Sequence, residues 1–151
     1  MTDNGLTIKK ENIIFDLDLR NIEDVISELS NKLYTSGYID NKKEFIKAVK
    51  ERENEIPTSI GNEIAIPHGK SNSVTQSTVA LCVLKEKIKW GEKTEDEVKY
   101  IFLLAIKDVD KGEKHLRMLA NLSSKLMDKE FVRKFKNAKT KNELFKIINN
   151  I

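Results

Sequence analysis

The chain has 151 residues and a mass of 17.4 kDa, the size of one domain with a substantial core, and its 39% hydrophobic and 34% charged content suits a soluble globular protein. A net charge of +3, carried mostly by lysine, is weak support for nucleic-acid binding, and no apolar run reaches the length of a membrane helix. Met1 to Gly5 lack the apolar core of a signal peptide, so a cytoplasmic location without membrane insertion is expected.

Residues 1–10 are polar and are expected to fray. Ile13, Phe15, Leu17 and Leu19 then alternate with Ile14, Asp16, Asp18 and Arg20, the period-2 pattern of a half-buried strand. Asn21 fits a helix N-cap, with Glu23 and Asp24 in the first turn, and Ile22, Val25, Ile26, Leu29 and Leu33 make one apolar stripe. Gly37 offers the stop. A second helix opens at Asn41 with Glu44 three residues on, and puts Phe45, Ala48 and Val49 on its inner face. Arg52 extends that stripe. Two roles suit it: satisfying the last carbonyls of its helix, or presenting a fork of donors to an anion nearby.

Ile64-Ala65-Ile66 is a short apolar run bounded by Gly61 before and by Pro67 and Gly69 after, which predicts a buried strand. His68 therefore falls just past a strand end, where ligands collect in open α/β sheets, although a His-Gly turn taken by itself reads more readily as a turn histidine with a satisfied ring nitrogen. Thr58, Ser59 and Gly61 can present hydroxyl or backbone donors to an anion beside His68, or form an ordinary loop. Val79–Leu84 and Ile101–Ile106 are continuous apolar runs, which predict strands covered on both faces. Between them, Ile88 and Trp90 suggest a short strand, and Gly91 to Glu97 an exposed loop. The only cysteine, Cys82, lies inside the first run, so no internal disulfide can form and a buried thiol is expected. Asp110 and Glu113 fit a variant capping box for a helix that aligns His115 with Leu119, Leu122 and Leu126. Phe131, Val132, Phe135, Leu144, Phe145 and Ile148 predict one or two amphipathic helices, with the many lysines as their solvated face. Nothing divides residues 1–151, so a single domain is expected.

The run from Ile60 to Gly69, Ile-Gly-Asn-Glu-Ile-Ala-Ile-Pro-His-Gly, resembles the signature of the fructose/mannitol-type (type 2) enzyme IIA domains of the bacterial phosphoenolpyruvate-dependent sugar phosphotransferase system. The likeness extends from about Asn12 to the C-terminus. It implies an α/β fold with a mixed β-sheet covered by helices on both faces. It also implies that His68 accepts a phosphoryl group from the phosphocarrier HPr and passes it to an enzyme IIB domain, with a membrane IIC component engaged indirectly. Arg52-Glu53 matches an Arg-Glu pair that such domains carry before the signature, so Arg52 is assigned to phosphoryl stabilisation. His115 corresponds to a second active-site histidine, usually preceded by glutamate; here Lys114 precedes it and the glutamate is Glu113. A phosphorylated cysteine belongs to the IIB partner, and Cys82 matches no such motif. Ile101–Ile106, His115-Leu116 and Leu126–Phe131 resemble the fructose branch more than the mannitol one.

An imidazole is a competent acceptor because its neutral form is available and nucleophilic near pH 7. The transfer otherwise asks for alignment and charge stabilisation, so no cofactor or metal is expected. Two histidines and one cysteine are also a poor ligand set for zinc, and a hydrolase's nucleophile elbow is missing. The competing roles are a transport relay, a regulator switched by phosphorylation of His68, and an interaction module whose histidine goes unused.

Overall fold

The computed structural model describes residues 8–108 and 113–149, with the side chains of residues 113–116 excluded. Its strands are β1 (Ile13–Leu17), β2 (Ser59–Gly61), β3 (Ile64–Ala65), β4 (His68–Ser71), β5 (Thr78–Lys89) and β6 (Glu97–Lys107). Its helices are α1 (Ile22–Thr35), α2 (Lys42–Glu55), α3 (Glu113–Leu126), α4 (Lys129–Lys136) and α5 (Lys141–Asn149). The strands form one sheet in the order β1-β5-β6-β3-β2, with β4 also on β6. Pairing is mixed: β1 runs parallel to β5, β5 antiparallel to β6, and β3 and β4 both parallel to β6.

The two long apolar runs explain why helices cover both faces. Successive strand residues point to opposite sides. Ala80, Cys82 and Leu84 thus join Leu103 and Ala105 in a cluster with Val25, Leu29, Leu33, Phe45 and Val49 of α1 and α2. Val79, Leu81 and Val83 join Phe102, Leu104 and Ile106 in a second cluster with Met118, Leu122, Phe135, Leu144 and Ile148 of α3, α4 and α5. The C-terminal apolar positions form two helices, and the expected α/β architecture is the one observed.

Helix ends follow local chemistry. Asn21 Oδ1 accepts from the Asp24 N–H at 2.8 Å and Asn41 Oδ1 from the Glu44 N–H at 3.1 Å, satisfying donors that the helices themselves leave unpaired. Gly37, at φ 87°, turns the chain just after α1.

Four local expectations are corrected. Fraying does not extend through residue 10: Ile8 is buried, and its N–H and carbonyl both bond the Asn149 side-chain amide, at 3.0 and 2.9 Å. The alternation at β1 breaks at Asp16, whose φ of 62° inserts a bulge, so Leu17 packs with Ile14 on the α1–α2 side while Phe15 lies with Ile13 on the other. Ile88 belongs to β5 itself, beyond an irregularity that separates the Val83–Tyr100 and Ile88–Val98 pairs. Gly69 does not terminate a strand; it is the second residue of β4.

Candidate functional site

β3 and β4 behave as one interrupted strand. Ile64 opposes Tyr100, Ala65 opposes Ile101, His68 opposes Leu104 and Ser71 opposes Lys107, so the register on β6 is unbroken across the gap. The interruption falls at Ile66-Pro67, where proline has no N–H to give the ladder. His68 is therefore both past the end of β3 and the first residue of β4, a placement that the apolar triplet alone did not reveal.

At this break the Ile66 carbonyl lies 3.0 Å from His68 Nδ1. A carbonyl only accepts, so this hydrogen bond places the proton on Nδ1 and leaves the lone pair on Nε2. The ring is half-buried. Its pKa lies below the ordinary imidazole value, chiefly because burial disfavours the cation; the Ile66 bond opposes this, the Arg52 charge adds to it, and Glu53 and Glu55 pull the other way. The neutral, nucleophilic form is thereby favoured near neutral pH.

Next to His68, the absence of a side chain is what lets α2 come close. A Cβ on Gly69 would stand 2.7 Å from Val49 Cγ2 and 3.2 Å from both Phe45 Cε1 and the Val49 backbone nitrogen. Glycine thus brings the C-terminal half of α2, with Arg52 and Glu53, against the strand that carries His68.

Arg52 does what a C-terminal arginine is expected to do: its Nη1 donates to the Ile56 carbonyl at 2.8 Å, just past the end of α2. Its charge also reaches the His68 ring. The two roles weighed for it are compatible, since a guanidinium carries five N–H donors.

Glu53 enters the family likeness only as half of the Arg-Glu pair, yet its carboxylate gathers three donors. Oε2 accepts from the Thr58 N–H at 2.8 Å and from Trp90 Nε1–H at 2.9 Å, and Oε1 accepts from Thr58 Oγ1 at 2.7 Å. Thr58 and Trp90 are both buried. The lone tryptophan between two strands was the available signal, because a buried indole N–H needs an acceptor.

The other positions of the expected phosphate loop separate. Thr58 is held by Glu53, and its carbonyl accepts from the Ile66 N–H at 3.1 Å. Ser59 Oγ donates to Asp96 Oδ2 at 2.8 Å, across to the segment before β6. Gly61 closes β2, exposed, at φ 89°, followed by Asn62 and Glu63 with φ of 56° and 66°, the signs of a type I′ hairpin turn. The turn itself needs positive φ only at Asn62 and Glu63; Gly61 sits at the register shift between Ser59 and Gly61, where a bulge takes the glycine. No expectation had placed a hairpin between β2 and β3.

His115 lies in the first turn of α3, but its side chain and that of Glu113 are outside the described residues, as is all of Asp110. The register still has a bearing on it. His68 opposes Leu104, which belongs to the cluster on the α3 side of the sheet, whereas Gly69 opposes Ala105 on the α2 side. Burial raises the Cys82 thiol pKa to about 12, which keeps it protonated and unreactive. No helix among the described residues is long and apolar enough to cross a membrane.

The family model described as phosphoenolpyruvate-dependent sugar phosphotransferase system, EIIA 2, matches residues 7–151. A relative, the 2-O-alpha-mannosyl-D-glycerate-specific EIIABC component of Escherichia coli, is 32% identical over 123 residues, covering 81% of this chain and 19% of that protein. The chain spans about a fifth or less of the length of the first curated relatives it matches. Among solved structures, the nitrogen regulatory protein IIA-Ntr of Neisseria meningitidis aligns with a TM-score of 0.83 at 23% identity, over 96% of this chain and 98% of that one. A complex of enzyme IIAMTL with phosphorylated enzyme IIBMTL from Escherichia coli aligns at 0.79 and 22% identity, over 95% and 98%. At these identities the two structures bear on the fold alone.

Proposed function

The chain belongs to the EIIA type 2 family of the phosphoenolpyruvate-dependent sugar phosphotransferase system, and on that premise we propose that His68 is its phosphoryl acceptor, charged by HPr and discharged to an enzyme IIB domain. The observation that carries this reading is the hydrogen bond from His68 Nδ1 to the Ile66 carbonyl, which directs the lone pair to Nε2.

In the transfer, the Nε2 lone pair attacks phosphorus, the Nε2–P bond forms and the bond from phosphorus to the donor's leaving atom breaks. The proton stays on Nδ1, hydrogen-bonded to the Ile66 carbonyl, which stabilises the positive charge that the ring acquires. Arg52 faces the three equatorial phosphoryl oxygens and lowers the energy of their spread charge. His115, on the helix that covers the same face of the sheet as Leu104, the partner of His68, supplies a further hydrogen bond to those oxygens. Thr58 shapes the site through Ile66, and Ser59 and Gly61 hold the adjoining hairpin. Onward transfer to IIB breaks the Nε2–P bond as the bond from phosphorus to the acceptor forms at the same nitrogen, so donor and acceptor use overlapping surfaces. The relay works in the cytoplasm and serves uptake of a fructose-like sugar through a IIC membrane component.

A second reading, regulation of a protein partner by the phosphorylation state of His68, is favoured by the likeness to a curated regulator, the probable licABCH operon regulator of Bacillus subtilis, 33% identical over 121 residues and 80% of this chain. One experiment tests the first reading and separates the two. Incubation with phosphoenolpyruvate, enzyme I and HPr should add one acid-labile phosphoryl group, and His68→Ala should take none. A chase with purified IIB domain then drains the label from a transport relay and leaves it on a regulator. Stoichiometric labelling of His68→Ala would overturn both.

A further inference from the structure

We propose that Glu53 is a positioning residue: its carboxylate fixes which nitrogen of His68 carries the proton, acting through Thr58 and Ile66. This deepens the assignment of His68 as acceptor and rests on it.

The connection is a chain of hydrogen bonds with every link in place. Glu53 takes both the N–H and the hydroxyl of Thr58, at 2.8 and 2.7 Å. Thr58, so held, offers its carbonyl to the Ile66 N–H at 3.1 Å. Ile66 in turn offers its carbonyl to His68 Nδ1 at 3.0 Å. Ile66 needs this outside support because it stands at the break between β3 and β4, beside a proline that gives no ladder bond. The third donor on Glu53, the Trp90 indole at 2.9 Å, keeps the carboxylate from rotating away from Thr58. Trp90 is only 1% exposed and Thr58 only 5%, so water cannot replace the carboxylate readily.

The same geometry tells apart the two things a glutamate can supply, hydrogen bonds and charge. Glutamine at this position can keep all three bonds. Its amide oxygen replaces Oε2 and accepts from Thr58 N–H and Trp90 Nε1–H, while its NH2 replaces Oε1 and donates to a Thr58 hydroxyl that has turned to accept. Alanine keeps none. A positioning role therefore survives Glu53→Gln and is lost in Glu53→Ala, whereas a purely electrostatic role is lost in both.

The test is nitrogen NMR of 15N-histidine-labelled protein, reading the His68 tautomer from the Nδ1 and Nε2 shifts in wild type, Glu53→Gln, Glu53→Ala and Thr58→Val. Wild type and Glu53→Gln should hold the Nδ1–H form. Glu53→Ala should shift towards a mixture with the Nε2–H form, and should accept phosphate from HPr about tenfold or more slowly, with Glu53→Gln within about threefold of wild type. Thr58→Val removes one bond and stays folded if alanine at 53 does not, and should show a smaller shift in the same direction. An unchanged tautomer in folded Glu53→Ala or, if that variant is unfolded, in Thr58→Val overturns the proposal, as does loss of the tautomer in Glu53→Gln. Failure of wild-type His68 to accept phosphate would instead overturn the acceptor assignment, and the tautomer readout does not depend on it.

Discussion

A histidine serves as a phosphoryl acceptor only while one ring nitrogen keeps its lone pair. At His68 two effects protect it, the proton held on Nδ1 by Ile66 and the burial that disfavours a second proton. The folded pKa is lowered, so below the ordinary value of about 6.5 the unfolded chain binds a proton that the folded chain still resists. Stability contributed by the neutral ring is complete above that pH and is lost as pH falls towards the folded pKa. Denaturant melts of wild type and His68→Gln between about pH 5 and 7.5 should show a steeper loss of stability with acid in wild type. Parallel curves would mean that the ring titrates as an exposed one. The Pro-His-Gly segment after an apolar triplet made the strand-end placement of His68 legible, whereas its candidacy as acceptor rests on the likeness of Ile60–Gly69 to the family signature. Glu53 was less so, since its three donors come from Thr58 and Trp90, the latter 37 residues away, and only the fold brings them together.

Among the elements, the contact between α2 and β4 decides where Arg52 and Glu53 stand relative to His68. Gly69 makes it possible, and Gly69→Ala should be destabilising by about 1–3 kcal/mol, because both Val49 and Phe45 must yield and one of the close atoms is backbone nitrogen. The accompanying loss of phosphoryl acceptance should exceed that of a Val49→Ala control of equal stability. Equal activity at equal stability would separate the α2–β4 spacing from the site. Helix boundaries here were readable from caps such as Asn21 and Asn41. The β2–β3 hairpin was not, because its turn places Glu63, an unusual residue at positive φ, where Asn-Gly is the common choice. Glu63 is retained by its surroundings: its carbonyl accepts from the Lys99 and Tyr100 N–H groups at 2.8 and 2.9 Å, and its carboxylate faces Lys87 and Lys136.

At the scale of the whole molecule, two apolar clusters on opposite faces of the sheet fix the positions of α2 on one side and α3 on the other, with the β3–β4 break between them. Continuous apolar runs at Val79–Leu84 and Ile101–Ile106 made this double covering legible, because each run feeds both clusters in alternation. Tertiary context overrode the pattern in β1, where the Asp16 bulge moves Leu17 across the sheet. With His68 as the proposed acceptor, this arrangement would present its Nε2 for phosphorylation. Phosphorus and nitrogen NMR of 15N-histidine-labelled protein, charged through enzyme I and HPr, tests it most directly. One phosphoryl group is expected, coupled to Nε2 of His68, with Nδ1 still bonded to the Ile66 carbonyl. A phosphoryl group on Nδ1 of His68, or on His115, would contradict it.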